Sequence, residues 1–526
     1  PSITLPPDEI KNTDCRNRPR GFMKENIEDP TFLSSAKKRC KEKHENEYAL
    51  HSIMKKGARI FFVGIGGVSM SGLSELSGGF GYTVGGSDMH DFHRSRMLRE
   101  KGIQVFIGHD RNNIDLFLPD LLVYTAAIMS GNPEIDYALE KGIPVVSRGD
   151  FLGFLTERFD RVINISGTHG KTTTTSMLSQ ILIESGRDPT VHLGAEYEPF
   201  GGAVRSGSGN SLLVSEACEY RRSFLNFRST TAAITNIDFD HADCFRDIDE
   251  IIDVFAEFSD RMEDSGFLII PVGDENVKKC VKKIRSRRLL SGRSMPVLIT
   301  TGLIDTPSEN ISEFADYSAR NIEYRNGYPS FDVWGPNGLY THVDLQVPGR
   351  HNIENALTAI ACAAQNGGSP DGARTALRAF RGAEGRFSVK GVFHGAKVVT
   401  DYAHHPAEIR ATLQAASQIP HKKMWVVFQP LTFNRVKIFG EAFINVFLPC
   451  AHVIFADIFS DREVDTGEFS SSQIADQINR LGGNAEYYAD KEEILHRLNS
   501  LVGMNDLVLI IGPEDIRSIT ERLSFD

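Results

Sequence analysis

What the sequence lacks narrows the field first. It has no C-x-x-C pair: its seven cysteines, at positions 15, 40, 218, 244, 280, 362 and 450, are odd in number and scattered. That excludes a disulfide framework and a thiolate zinc site, and fits a reducing compartment. No apolar run approaches the ~18 residues of a membrane span, and the longest, such as Leu507 to Ile511, are strand-sized. No secretory signal pattern is visible, so a cytoplasmic protein is expected. Positive charge is not in excess either. The formal net charge is −11, which gives no general reason to bind nucleic acid or an anionic membrane. Phosphate ligands must be held by local features against that field. There is no fixed-period repeat and no low-complexity tract.

The 526 residues correspond to about three domains at roughly 150 residues each. Residues 1–57 mix charge clusters (Lys37-Lys38-Arg39, Lys41, Lys43) with few periodic apolar positions. They read as an extension, either a partly ordered solvated tail or a basic arm. From Arg59 the pattern is α/β. Ile60 to Val63 is a short apolar strand, followed by a glycine turn, a small-residue helix from about Ser69 to Phe80 and a strand ending near Asp88. Strands follow at 105–107, 121–124 and 144–146. A second unit opens with the strand Val162 to Ile165 and its own glycine turn, continues through strands at 212–214 and 232–235 and a β-rich stretch at 321–347, and reaches a helix near His351. A third opens after Arg386, with strands at 397–400, 425–428, 453–456 and 507–511. Strands alternating with helices imply mostly parallel sheets covered on both faces. The expected fold class is α/β, with three consecutive domains at 58–155, 156–384 and 385–526.

The strongest local signal is Gly167-Thr168-His169-Gly170-Lys171-Thr172, followed by Thr173, between a strand and a helix. Glycines let backbone N–H groups face phosphate oxygens, and the helix N-terminus adds partial positive charge. Lys171 would reach the β/γ-phosphates and the Thr172 hydroxyl would hold Mg²⁺. Ile165 occupies the position of the general P-loop's first glycine, and the competing reading is an ordinary glycine-rich turn. A phosphate-bound Mg²⁺ needs further ligands. Glu216, just past a strand, and His241, in Asn236-Ile237-Asp238-Phe239-Asp240-His241, both fall at the carboxyl edge of the sheet beside that loop. Alone, the first would be a surface acid and the second a satisfied loop histidine.

A second glycine cluster, Gly64-Ile65-Gly66-Gly67 with Ser71-Gly72, also joins strand to helix. Asp88 ends the next strand, at the spacing of a ribose-binding acid. Ser69 stands where the dinucleotide fingerprint has its third glycine, which weakens a nicotinamide reading and leaves the diphosphate of another nucleotide.

These pieces together resemble the Mur ligase family over about residues 58–526. To the motifs above add Glu216-Ala217-Cys218-Glu219, Pro348-Gly349-Arg350-His351-Asn352, Asp401-Tyr402-Ala403-His404-His405-Pro406 and Phe428-Gln429-Pro430. The resemblance implies a Rossmann-like UDP-sugar domain, a P-loop ATPase domain and a Rossmann-like C-terminal domain. It implies an ATP- and Mg²⁺-dependent acid–amino acid ligase that joins the carboxylate of UDP-N-acetylmuramate to an amino acid, L-alanine by default, through an acyl phosphate. Such an enzyme would be a monomer or weak homodimer.

It also implies roles. Gly64, Gly66, Gly67, Ser71 and Gly72 would lie at the UDP diphosphate, Asp88 near the uridine and Asn132 at the muramyl part. Lys171, Thr172, Glu216 and His241 would serve ATP and metal, with Asn236, His351 and Asn352 at adenine. Arg386 and Asp401 would reach the γ-phosphate and ribose. Tyr402 and Arg435 would face the amino acid. Both nucleotide cradles are expected to open onto one cleft.

Several positions depart from the family pattern. Leu431 replaces a histidine, Asn434-Arg435-Val436 replaces Ser/Thr-Arg-Thr, and Gly385 replaces one of two arginines. The C-terminal glycine-rich turn reads Gly512-Pro513-Glu514-Asp515, and Cys218 stands where aspartate is common. Three readings therefore stay open: the alanine ligase, a related ligase using another amine or peptide, and a nucleotide-binding relative without catalysis. A nicotinamide-dependent dehydrogenase explains neither Lys171 nor Glu216.

Overall fold

The computed structural model describes residue 50 and residues 53–526, apart from 126–127, 129–130, 305–314, 461–462, 464 and 466. The expectation for residues 1–57 therefore falls almost wholly outside the described residues.

Three sheets follow one another along the chain. The first is all parallel, in the order Gln104–Ile107, Thr83–Asp88, Arg59–Val63, Leu121–Tyr124, Val145–Ser147. Chain order reverses at Arg59–Val63, so the turn after that strand sits at a topological switch point, where such sheets open a crevice. The second sheet has ten strands. Arg161–Ser166 lies inside it, flanked by Thr231–Ile234 on one side and Leu212–Glu216 on the other, all parallel. Its switch point is the turn after Ser166. The third sheet has six strands, with Ala396–Asp401, Leu507–Ile511 and Met424–Phe428 adjacent and parallel.

Sequence expectation and structure agree on most of the buried strands, whose continuous apolar runs suit a sheet covered on both faces. They differ at the edges. The β-rich stretch is three strands, Tyr317–Arg325, Tyr328–Gly335 and Gly338–Asp344, antiparallel to one another, the first of them joined parallel to Val297–Leu303 at the end of the central parallel strands. Thr190–Tyr197, with its mixed polar and apolar residues, pairs parallel with Leu212–Glu216 and becomes a wall of the site. Glu216, expected just past its strand, is the strand's last residue.

The central core packs the helices Lys171–Glu184, Arg350–Gln365 and Pro370–Ala379 against one face of the second sheet. Met177, Leu178, Ile181, Ile353, Leu357, Ile360 and Leu377 are buried there. Burying each such side chain contributes about 1.5–3 kcal/mol, which anchors the start of the Lys171 helix. In the third sheet, both faces are covered by separate clusters, one around Ile409, Phe443 and Phe447 and one around Ile494, Leu498 and Ile516.

Candidate functional site

The loop after Ser166 is fixed from behind. Gly167 has φ +134°, and a Cβ there would lie 2.0 Å from Thr235 Oγ1. Gly170 has φ +82°, and a Cβ would lie 2.4 Å from Asn355 Oδ1. Both positions demand glycine for conformation and for space. Asn236 grips the same loop: its Oδ1 accepts from the His169 N–H at 2.9 Å and its Nδ2 donates to the His169 carbonyl at 3.0 Å. The Thr235 hydroxyl also donates to that carbonyl, at 2.6 Å.

A cavity of about 830 Å³ opens over this loop. From the central sheet it is lined by residues 168–173, Gly194, Glu216, Cys218, Asn236, Asp240 and His241, together with His351 and Asn352. From the third sheet come Arg386, Asp401, Tyr402, His404, Leu431 and Arg435. The third sheet reaches the cavity by the carboxyl end of Ala396–Asp401, as the switch-point rule requires.

Within the cavity the polar groups interlock. Thr172 Oγ1 donates to Glu216 Oε2 at 2.8 Å, and the same oxygen accepts the Gly194 N–H at 2.9 Å. Lys171 Nζ donates to the carbonyls of Gly167 at 2.6 Å and Thr168 at 2.9 Å, and to Glu219 Oε2 at 3.1 Å. Burial works against the lysine's charge, but Glu219 together with Cys218 and Glu216 outweighs it and keeps the ammonium pKa above its ordinary value. Glu219 is itself buried, and Lys171 and His241 hold its carboxyl below the usual range despite that burial. His241 sits in the left-handed region, at φ +55°, with Nε2 3.6 Å from Glu219 Oε1. A hydroxyl, a carboxylate and an imidazole on one cavity suit a hard divalent cation that keeps part of its water shell.

A second charged group joins the loop to the third sheet. His169 lies between Asp238 at 3.4 Å and Glu408 at 3.1 Å. Burial alone would lower its pKa, but these two carboxylates raise it to about 9. Arg435 is bidentate on Asp240, at 3.0 and 3.2 Å. His405 Nε2 donates to the Phe239 carbonyl at 3.1 Å, while its Nδ1 accepts the Ala407 N–H. His169, Asp238 and His405 are close enough to consider a metal. Neither nitrogen of His405 has a lone pair to spare, however, because Nε2 carries the proton donated to Phe239 and Nδ1 accepts from Ala407.

The sequence-derived candidates divide accordingly. Lys171, Thr172, Glu216, His241, Arg386, Asp401, Tyr402 and Arg435 come together on the cavity. Asn236 and Asn352 line it, but their amides are engaged in the framework: Asn352 Nδ2 donates to the Pro348 carbonyl at 2.7 Å and its Oδ1 accepts from Asn355. Asn236 braces the loop, since a tight turn leaves backbone groups that need partners. His351 is half-buried in the cavity wall, and the loss of water around its ring lowers its pKa to about 4 and leaves a neutral imidazole. Burial likewise pushes Asp401 up, and its oxygens accept the N–H groups of Phe387 and Ala403. Arg386 and Arg517 both stack on the Tyr402 ring, at 5.0 and 5.5 Å. Of the departures noted in the third domain, Leu431 lines the cavity whereas Val436 is buried in the core, away from it.

The first-domain candidates lie elsewhere. Gly64, Gly66, Gly67, Ser71, Gly72, Asp88 and Asn132 are not among the residues lining this cavity. Strand Thr190–Tyr197 runs between the first turn and this cavity. Ser69 Oγ is 3.2 Å from His192 Nε2, and Arg94 reaches Glu196 at 2.9 Å. Gly194, two residues from each of those contacts, faces the cavity and Glu216. Asp88 Oδ2 accepts the Gly66 N–H at 2.8 Å, so this acid shapes the glycine turn directly. Asn132 caps the helix Pro133–Glu140, accepting from the Glu134 and Ile135 N–H groups.

Sequence reasoning assigned no role to Glu219, Asp240, Glu408 or Asn355. Glu219 lies three residues after Glu216 at the edge of an irregular turn, where no periodicity marks a buried side chain. Asp240 and Glu408 gain meaning only from cationic partners 195 and 239 residues away.

Comparison with known proteins bears on the whole chain. Residues 59–160 match the Mur ligase family catalytic domain, 165–363 the Mur ligase middle domain and 385–513 the Mur ligase glutamate ligase domain. The UDP-N-acetylmuramate–L-alanine ligase of Acetivibrio thermocellus is 39% identical over 472 residues, 90% of this chain and 96% of the relative. The ligase of the same name from Clostridium botulinum (strain Eklund 17B) is 39% identical, over 89% of this chain and 98% of its own. Among solved structures, the Thermotoga maritima UDP-N-acetylmuramate–alanine ligase superposes with a TM-score of 0.72 at 26% identity, covering 88% of this chain and 97% of that one. A murein peptide ligase from Psychrobacter arcticus shares the fold, with a TM-score of 0.66 at 24% identity over 89% of this chain and 98% of its own. A P-loop with its carboxylate and imidazole, enclosed between two α/β sheets in the order these relatives share, places the chain in the Mur ligase family of ATP-dependent ligases.

Proposed function

We propose that this chain joins L-alanine to the lactyl carboxylate of UDP-N-acetylmuramate, with ATP cleaved to ADP and phosphate, in the building of peptidoglycan precursors in the cytoplasm. The observation that carries the reading is a single cavity bearing both the Lys171–Thr172–Glu216 group and the third-sheet cations Arg386 and Arg435. Identity of 39% over 90% of the chain to ligases of that name supports it. The proposed domains are 58–155 for the UDP-sugar, 156–384 for ATP and 385–526 for the amino acid.

The difficulty of the reaction is electrostatic. A carboxylate is a poor acylating agent, and a nucleotide phosphate repels it. Lys171 offsets charge on the β/γ-phosphates after leaving its resting partners, and the N–H groups of the Gly170 turn donate to phosphate oxygens. Thr172, Glu216 and His241 would hold Mg²⁺, which supplies Lewis-acid neutralisation of the same oxygens when bound. The carboxylate oxygen takes the γ-phosphoryl group as ADP leaves. The amino nitrogen then attacks the acyl carbon, loses a proton, and phosphate departs. Arg435 would orient the amino acid's carboxylate, which requires it to exchange Asp240 for substrate. Enclosure by the third sheet keeps water from the acyl phosphate.

One observation favours a second reading. Leu431 presents an apolar side chain to the cavity where the family's histidine would offer a hydrogen bond, which suits a different amine. ADP release measured with UDP-N-acetylmuramate and a panel of amino acids and peptides tests both. Turnover with L-alanine supports the first reading, turnover only with another amine replaces it by the second, and no release with any amine overturns both.

A further inference from the structure

Glu219 lies behind the cavity's lining, between the lining residues Cys218 and Tyr220, at 1% relative exposure, and it touches two groups with different expected ligands. One is the ammonium of Lys171, 3.1 and 3.3 Å from its two carboxylate oxygens. The other is the imidazole of His241, 3.6 Å from Oε1. Lys171 is fully committed in this arrangement. Its three hydrogens are met by Glu219 and by the carbonyls of Gly167 and Thr168, and the ammonium lies folded back on the loop that should receive phosphate. Glu216, by contrast, is engaged with the Thr172 hydroxyl and the Gly194 N–H, and acts on Lys171 only through space.

We propose that Glu219 is a positioning residue that couples divalent-cation binding to nucleotide binding, by parking Lys171 on one side and facing the His241 metal position on the other. The proposal rests on the reading of Lys171 as the phosphate cation and His241 as a metal ligand. Without a divalent cation, the buried carboxylate balances its charge chiefly on Lys171, its nearest cation, with His241 farther off, so phosphate must compete for the ammonium and also meets a poorly compensated negative charge behind it. With a cation on the His241 side, Glu219 gains a second source of positive charge, and the ammonium is released toward the phosphates at lower cost. The two ligands therefore favour each other through one side chain, and such coupling is reciprocal.

The test is calorimetric binding of a non-hydrolysable ATP analogue to the full chain, once with EDTA and once with excess MgCl₂. In the native protein, Mg²⁺ should tighten binding strongly. In Glu219→Gln the metal-free affinity should rise, because Lys171 is no longer held and the buried charge is gone. The ratio between the two conditions should then shrink by roughly fivefold or more. A merely structural role would weaken both affinities in parallel, and an unchanged ratio or a parallel loss overturns the proposal. Should Glu219→Gln not fold, Glu219→Asp carries the test: its shorter reach lengthens both contacts, the ratio must fall part-way, and an unchanged ratio again overturns it. Lys171→Ala separates the underlying reading. If that variant binds the analogue as the native protein does, the nucleotide site itself is wrong. If it loses affinity while Glu219→Gln keeps the native ratio, only the coupling fails.

Discussion

The two glycine turns begin from nearly the same sequence logic and end in different surroundings. Each follows an interior strand with parallel neighbours on both sides, at a switch point, and each starts a helix rich in small residues. The first, at Gly64–Gly72, is held by one acid, Asp88, and by Arg94, whose Nε donates to the Gly66 carbonyl. The second, at Gly167–Thr172, carries a buried ammonium, two buried or half-buried carboxylates and a histidine raised to about 9. The contrast teaches that a strand–turn–helix supplies only a place for phosphate. What chemistry happens there depends on charges delivered by other strands: Glu216 and Glu219 after one neighbour, Asp238 to His241 after the other.

Substitutions in the two turns should separate along that line. Lys171→Ala is expected to have the largest effect, lowering kcat on the order of 10³-fold in an ADP-release assay, because a preorganised cation at the transferring phosphate is lost. Retention of normal turnover would break the assignment. Gly66→Ala should act on the other substrate. Its Cβ would meet Asp88 Oδ2 and a Phe92 ring carbon at 2.9 Å, distorting the turn, so KM for the UDP-sugar should rise roughly tenfold, the loss of about one good contact. KM for ATP should stay within twofold; an equal rise in both would erase the distinction between the turns.

A smaller effect is expected at the third-domain wall. Leu431→His restores a hydrogen-bonding side chain to the cavity and should shift the ratio of kcat/KM between L-alanine and competing amino acids by about tenfold. No shift would remove Leu431 as a selector.

The smallest effect concerns pH. His169 is raised above its unfolded value, so its protonated contacts with Asp238 and Glu408 contribute fully below about pH 6.5. That contribution is lost as pH climbs through about 9. Thermal unfolding midpoints should therefore drop between pH 7 and 9 more in the native chain than in His169→Gln. His351, lowered to about 4, works in the opposite direction: its neutral form contributes above about 6.5, and that is lost as pH falls toward 4. Parallel curves for the native chain and His169→Gln in the alkaline range would show that the link to Glu408 does not titrate there.

The strands at 60–63, 121–124, 162–165 and 507–511 were legible because a fully buried parallel strand leaves a continuous apolar run. The loop at 167–172 was legible because φ values of +134° and +82° and contacts at 2.0 and 2.4 Å admit only glycine, and that constraint is written in two residues. Thr190–Tyr197 was not legible, since one of its faces meets the first domain through His192 and Glu196, and that polar contact disguises the strand.

The order of the sheets, the nucleotide loop and its carboxyl-edge partners were thus determined by local sequence, where backbone sterics and apolar periodicity act over a few residues. Only the tertiary structure decided that Lys171 rests on Glu219, that Arg435 is held by Asp240, that Val436 belongs to the core, and that a strand stands between the two glycine turns. Those outcomes depend on charges and surfaces brought together from distant segments. A buried charge takes whichever partner the packing supplies, and its own neighbours in sequence do not name that partner.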